Sequence, residues 1–176
     1  ASFSQANFPP GYPHPVWQPE YFGDTPVVNG KAYPRLQVEP RRYRLRFLNG
    51  SQARFYHLSL GGLLMWIIGT EGGLLPKPVP VKDFLMAPAE RFDVIVDFSN
   101  LPKGTTVTLT NDAGAPFGEG PDPALVLPEI MQFKVSLPLQ SEDTTFKPSS
   151  LMLPGFQSTI PDLPLTNLYG LGIPAR

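Results

Sequence analysis

The sequence predicts an all-β domain, and three observations carry that prediction. The 176-residue chain contains 23 prolines and 16 glycines, which disfavour helices and punctuate short strands. Several segments alternate apolar and polar side chains with a period of two, which is typical of half-buried strands. These segments are short and nearly evenly spaced, and no segment has a convincing helical pattern. The sequence therefore indicates a two-sheet Greek-key β-sandwich of seven or eight strands, with irregular proline-rich extensions at both ends.

The first predicted elements are a connector, a hairpin and an arginine-rich strand. Residues 1–20 are polar, aromatic and proline-rich, so we expect an extended connector. Residues 25–33 predict a short strand pair around Asn29 and Gly30, because Asn-Gly is the strongest two-residue hairpin signal. In the next strand one face is apolar (Tyr43, Leu45, Phe47) and the other is basic (Arg42, Arg44, Arg46).

The remaining strands follow after a turn at residues 49–51. Tyr56, Leu58 and Leu60 alternate with Phe55, His57 and Ser59, and residues 64–68 are apolar throughout, as in a core strand. Three glycines within residues 69–73 predict a loop. Further strands are predicted at residues 84–86, 91–98, 105–110 and 130–137.

Composition excludes several classes of function. The net charge is −1, which argues against a domain-wide surface for nucleic acid or an anionic membrane. The chain has no cysteine, so it has no disulfide, no thiolate metal site and no cysteine nucleophile. No apolar run approaches the roughly 20 residues of a membrane span. Ala1 and Arg176 both look like cut ends, so we expect a segment of a longer protein.

The two histidines are the obvious candidates for metal ligands. His14 lies in the connector and His57 on the polar side of a strand, so they occupy separate elements. A blue-copper site needs two histidines and a cysteine, and no carboxylate spacing matches a zinc site. We therefore predict no metal site within this chain.

The arginines allow two interpretations. Arg41, Arg42, Arg44 and Arg46, together with Arg54, resemble a basic stripe for nucleic acid. Alternatively they form a solvated or interdomain surface, and pair with Glu39, Glu90, Asp93 and Asp97. The nearly neutral net charge favours the second interpretation. Asn49-Gly50-Ser51 matches a glycosylation sequon, but the same residues suit a tight turn, which we favour.

An ordered set of stretches carries a family resemblance. They are residues 22–25 (Phe-Gly-Asp-Thr), 28–31 (Val-Asn-Gly-Lys), 36–40, 43–49 (Tyr-Arg-Leu-Arg-Phe-Leu-Asn), 68–75 (Ile-Gly-Thr-Glu-Gly-Gly-Leu-Leu), 86–93 (Met-Ala-Pro-Ala-Glu-Arg-Phe-Asp) and 130–135 (Ile-Met-Gln-Phe-Lys-Val). In this order and spacing they resemble the second, middle cupredoxin domain of three-domain multicopper oxidases, of the bilirubin oxidase and spore-coat laccase type. The resemblance covers about residues 21–135.

The resemblance implies a division of labour between domains. Residues 21–138 would be the cupredoxin-like domain, and residues 139–176 a linker toward a third domain. In this family a type 1 copper lies in the third domain, and a three-copper cluster lies between the first and third. The His-x-His and His-Cys-His ligand motifs are not found in this chain. It would therefore be a copper-free spacer that contacts the first and third domains and is inactive in isolation.

The resemblance also implies an activity for the longer protein. That activity is one-electron oxidation of phenolic, bilirubin-like or metal substrates, coupled to reduction of O2 to water. The glycine-rich loop after residue 110 is our candidate for the edge of the substrate pocket, with Asn111, Ala113, Gly114, Ala115 and Pro116. Family members are often exported, periplasmic or in spore coats.

Two other functions remain open. Some relatives keep the sandwich architecture without copper and serve as envelope scaffolds, so the longer protein is alternatively a copperless scaffold. A stand-alone binding module that uses the arginine surface is the least favoured alternative. Ligand motifs on either side of this segment in the gene would distinguish the oxidase from the scaffold.

Overall fold

The computed structural model describes residues 20–117, 127–145 and 147–150, and over these residues the chain folds as a two-sheet β-sandwich. The predicted all-β class is confirmed, since regular structure there consists of strands and one 3-10 turn at Pro148–Ser150. No helix in the described part is long and apolar enough to span a membrane. The predicted connector, residues 1–20, lies outside the described residues except for Glu20.

The strands are short and follow one another closely. In chain order they are β1 (Val27–Val28), β2 (Lys31–Ala32), β3 (Arg35–Val38), β4 (Arg42–Leu48), β5 (Tyr56–Ser59), β6 (Met65–Thr70), β7 (Gly73–Val81), β8 (Asp83–Met86), β9 (Arg91–Asp97), β10 (Thr106–Asn111) and β11 (Glu129–Val135).

The strands form one five-stranded and one four-stranded sheet, with β1 and β2 paired as a separate hairpin. The five-stranded sheet has the order β3-β11-β10-β5-β8, and the four-stranded sheet has the order β4-β9-β6-β7. Neighbouring strands are antiparallel except β3 and β11, which are parallel. Because neighbours such as β4 and β9 are distant in sequence, the chain crosses between the sheets repeatedly, as in Greek-key folds.

The core lies between the two sheets and follows the predicted alternation. On β4, Tyr43, Leu45 and Phe47 pack against the core, so the arginines between them face outward. Phe98, after β9, contacts Phe133 of β11 across the sandwich, with ring centroids 5.5 Å apart. Each fully buried side chain of this kind contributes roughly 1.5–3 kcal/mol, so the interior between the sheets is the main source of stability.

The predicted Asn-Gly hairpin is confirmed. Asn29 and Gly30 join β1 to β2 and have φ angles of 50° and 79°. Both lie in the left-handed region that a two-residue type I′ turn requires. Local turn chemistry therefore determines this element.

The prediction of a loop over residues 69–73 is wrong in its extent. β6 continues through Gly69 to Thr70, and β7 starts at Gly73, so only residues 71–72 connect the strands. A Cβ at Gly69 would lie 3.0 Å from the carbonyl oxygen of Gly73. Glycine here therefore permits a close approach of two paired strands rather than ending them.

Two strands were not predicted, for different reasons. β7 contains Pro76, Pro78 and Pro80, which cannot donate hydrogen bonds to a ladder. It is tolerated because it is an edge strand, which among the described strands pairs only with β6. β3 (Arg35–Val38) alternates polar and apolar residues, but it is only four residues long, which makes it a weak strand signal.

The segment after β11 remains attached to the sandwich. The Asp143 carboxylate accepts hydrogen bonds from the backbone N–H of Arg42 at 3.0 Å and from its guanidinium at 3.3 Å. The same guanidinium donates to the carbonyl oxygen of Thr145 at 2.7 Å. The first part of the predicted linker, residues 139–145, thus reaches the start of β4.

Candidate functional site

The predicted pocket-edge loop begins at a buried asparagine that holds several strands together. Asn111 is 2% exposed and lies at the end of β10. Its side-chain oxygen accepts hydrogen bonds from the backbone N–H groups of His57 at 2.9 Å and Ala113 at 3.1 Å. Its side-chain amide donates to the carbonyl oxygen of Leu127 at 3.2 Å. Asn111 therefore fixes the loop against β5 and the start of β11.

The loop has an inner and an outer side. Ala113 and Ala115 are buried, whereas Gly114 and Pro116 are partly exposed. The Ala115–Pro116 peptide bond is cis. The outer side of the loop is the part that an adjoining domain or substrate would contact, and its role at a substrate pocket stays a prediction.

A phenylalanine pair extends the outer side of the loop. Phe117 is 48% exposed. Its ring stacks on that of Phe55, with centroids 4.4 Å apart and planes 14° apart. Offset or stacked aromatic pairs are stabilising beyond the area they bury. The stack therefore gives the outer side of the loop an aromatic edge.

His57 lies between two carboxylates on the outer face of the five-stranded sheet. Its Nδ1 is 2.5 Å from Oδ1 of Asp112, and its Nε2 is 3.1 Å from Oδ1 of Asp83. The hydrogen bond to Asp112 makes the largest contribution to a raised pKa of His57, and Asp83 raises it further. Because both ring nitrogens face carboxylates, the arrangement favours the doubly protonated imidazolium, which has no lone pair for a metal.

The outward arginines are mostly paired with acidic residues. The Arg42 side chain lies 3.0 Å from Asp97, and Arg44 forms an ion pair with Asp93. The Arg44 contact holds the pKa of Asp93 below its usual value. Arg41 lies 3.6 Å from Glu39. These contacts agree with the interpretation of a charge-paired surface.

Two details of that interpretation are wrong. Among the described residues Glu90 forms no ion pair with these arginines, and its carboxylate accepts a hydrogen bond from the backbone N–H of Ala87 at 2.6 Å. Arg54 is only 2% exposed and lies away from the surface. Its guanidinium donates to the carbonyl oxygen of Gly23 at 2.8 Å and lies 5.8 Å from the Phe22 ring centroid. Burial lowers the pKa of Arg54.

Asn49, the sequon asparagine, is also buried. It is 4% exposed, and its side-chain amide donates to the carbonyl oxygens of Arg54 at 2.8 Å and Met86 at 3.2 Å. Its side-chain oxygen accepts a hydrogen bond from the backbone N–H of Ser51 at 3.0 Å. A glycan on this nitrogen would break the buried contacts, so the turn interpretation is the one that the structure supports.

A cavity of about 640 Å³ lies beside the β1–β2 hairpin. Apolar side chains of β4 and β11, including Leu45, Phe47 and Met131, line it. Leu36 and Leu48 also line it and are exposed. Such a lining suits apolar groups of a neighbouring domain or molecule.

Residues 13–115 match the family model described as multicopper oxidase. The chain belongs to the multicopper oxidase family. Among sequenced relatives, a laccase of Bacillus subtilis (strain 168) is 44% identical over 144 residues, which cover 81% of this chain and 27% of the laccase. The multicopper oxidase LPR1 of Arabidopsis thaliana is 44% identical over 133 residues, which cover 75% of this chain and 22% of that protein.

Solved multicopper oxidases have the same fold. The structure of the McoA multicopper oxidase from the hyperthermophile Aquifex aeolicus matches with a TM-score of 0.65 at 33% identity, over 79% of this chain and 31% of that one. This similarity confirms the predicted cupredoxin-like class. The chain spans only about a quarter to a third of the length of these relatives.

The family implies copper, but the residues of this chain do not fit a type 1 copper site. Type 1 copper requires a cysteine thiolate, and the chain has no cysteine. Within the described residues, no group of three or more histidine, cysteine, aspartate or glutamate side chains is placed to hold a metal. His57 is engaged by carboxylates at both ring nitrogens, and His14 lies outside the described residues.

Proposed function

We propose that this chain is the middle domain of a three-domain multicopper oxidase and acts there as a spacer without copper of its own. The proposal rests on one observation: the chain has a multicopper oxidase fold, but its side chains do not supply the ligands of a copper site. The chain has no cysteine, and Asp83 and Asp112 occupy both ring nitrogens of His57. Bound copper would supply the one-electron redox chemistry from elsewhere in the longer protein.

The proposed activity of the longer protein is oxidation of substrates by single electrons, with reduction of O2 to water. Relatives named laccases and multicopper oxidases support it. The substrate classes that we propose are phenols, bilirubin-like tetrapyrroles and metal ions. The contribution of this chain is mechanical, because a rigid sandwich fixes the separation and orientation of the domains attached to its two ends.

We further propose that the loop at residues 111–116 forms one edge of the substrate pocket. Its inner side is fixed by Asn111, so the outer side, with the partly exposed Gly114 and Pro116, is held in place. Exchange of Gly114 for valine in the longer oxidase is expected to raise KM for a bulky phenol and to leave copper content unchanged. If the variant and the wild type have the same KM for the bulky phenol, the loop does not form an edge of the substrate pocket.

The experiment that tests the proposed function uses the full-length product of the gene. Copper is quantified after gel filtration, and turnover is measured with a phenolic dye and an oxygen electrode. We expect copper and turnover in the full-length protein, and neither in the 176-residue chain alone. A full-length protein that is folded but holds no copper would favour the copperless scaffold, and tightly held copper in the chain alone would overturn the spacer role.

A further inference from the structure

The two outer faces of the sandwich differ in chemistry. On the five-stranded sheet several outward polar groups pair with one another across strands. The Ser59 and Thr110 hydroxyls are 2.7 Å apart, and Arg35 donates to the Gln132 side chain at 2.8 Å. These polar groups are already satisfied by their own hydrogen bonds, so they have little to gain from a partner.

The outer face of the four-stranded sheet is apolar along its middle. The alternation that buries Met65 and Ile67 turns Leu64, Trp66 and Ile68 outward. In the paired register Trp66 lies between Ile95 of β9 and Pro80 of β7. We call these five outward residues, Leu64, Trp66, Ile68, Pro80 and Ile95, the outer apolar strip.

The strip is accessible and bordered by charges. Leu64 is 46% exposed, and Trp66 is partly exposed. Arg44 lies opposite Ile95 in the register and pairs with Asp93. An apolar centre with a polar rim is the usual composition of a protein–protein contact. Strands that are apolar on both sides are typical of sheets covered on both sides.

The path of the chain indicates what covers the strip. The guanidinium of Arg42 contacts both Asp97, on this outer face, and the segment that contains Asp143 and Thr145. The segment after β11 therefore passes along the edge of the face that carries the strip as far as Thr145. A domain that follows in the longer protein is joined to the sandwich through this segment, so its docking on this face is intramolecular and costs less entropy than the association of separate chains.

We infer that the outer apolar strip is the docking surface for the domain that follows this one in the longer oxidase. The inference rests on the proposed function, since it requires a following domain. It adds the location of the contact, on the four-stranded rather than the five-stranded sheet.

The test compares two leucines in the wild-type full-length protein by hydroxyl-radical footprinting and mass spectrometry. Leu64 lies in the strip, and Leu85 lies on the outer face of the five-stranded sheet, opposite His57 in the register. Their exposures in this domain are 46% and 41%. Because residue type and exposure match, we expect Leu64 to be modified at least about tenfold more slowly, which corresponds to about 1.4 kcal/mol in favour of the docked state. Equal rates would overturn the inference.

A matched pair of substitutions gives a second measurement. Leu64→Lys in the full-length protein is expected to accelerate proteolysis between the domains, and Leu85→Lys is expected to leave it unchanged. If the 176-residue chain self-associates and Leu64→Lys abolishes that association, a second copy of the chain binds the strip. This result would overturn the inference. Copper content, measured on the same samples, tests the oxidase function independently of docking.

Discussion

Arg42 and Asp143 lie 101 residues apart in sequence and are joined by two hydrogen bonds, one from the Arg42 backbone and one from its guanidinium. The side chains of both residues are largely buried, with 13% and 12% exposure. Their contact attaches the segment that follows the last strand to the first residue of β4. The sandwich therefore holds this segment against the start of β4.

Removal of this contact should destabilise the chain. Arg42→Gln breaks the ion pairs to Asp97 and Asp143 and the bonds to Thr145, so we expect a loss of about 1–3 kcal/mol in the free energy of unfolding. Urea unfolding at pH 7 measures it. The control is Arg44→Gln, whose arginine side chain is 59% exposed and whose loss should cost at most about 1 kcal/mol. Equal losses of unfolding free energy in the two variants would show that the Arg42 contacts stabilise the chain no more than an exposed ion pair does.

The loss of folding stability at acidic pH should depend on Asp143. Hydrogen bonds from Thr145 and from the backbone of Arg42 lower the pKa of Asp143 from 3.8 to about 2. Because the folded-state pKa lies below the unfolded value, this stabilisation is complete above about pH 4 and is lost as the pH falls toward 2. We expect Asp143→Asn to flatten the fall in stability over that range, as measured by urea unfolding. An unchanged slope would contradict the assignment.

The loss of folding stability as the pH rises above about 6.5 should depend on His57. Its pKa is raised above 6.5 by Asp112 first and by Asp83 second. A raised folded-state pKa contributes stability that is complete below about pH 6.5 and is lost as the pH rises through the folded-state pKa. NMR titration should therefore place the His57 pKa above 6.5, and Asp112→Asn should lower it more than Asp83→Asn. A larger decrease in the His57 pKa in Asp83→Asn than in Asp112→Asn would show that the contact with Asp112 is not the dominant one.

The prolines of β7 should protect an exposed sheet edge. Strand edges with free N–H groups pair with other chains, and proline removes that donor. We expect the double variant Pro76→Thr/Pro78→Thr to keep the fold but to aggregate several-fold faster on mild heating, as followed by light scattering. Val79→Thr on the same strand is the control. Unchanged aggregation would assign the prolines a different role.

Sequence patterns predicted the elements whose information is local. The alternation on β4 and the Asn29-Gly30 turn are determined by neighbouring residues, and both were predicted. β7 was missed because a segment with three prolines is compatible with a strand only at the edge of a sheet. Whether a segment lies at an edge depends on the sheet order, which local sequence does not show.

The contacts at the site required three-dimensional information. Asp83 and Asp112 reach His57 only because β8 and β10 flank β5 in the sheet. The outward position of His57 was predictable from alternation, but its two carboxylate partners were not. Similarly, nothing near Arg42 in the sequence points to Asp143.

Copper content after removal of every histidine of this chain tests the spacer role most directly. Because the chain has no cysteine, the double variant His14→Gln/His57→Gln leaves it with neither histidine nor cysteine, the usual ligands of type 1 copper. We expect that the full-length protein with both substitutions keeps the copper content and the blue absorption of the wild type. Loss of one or more coppers from the folded variant would contradict it.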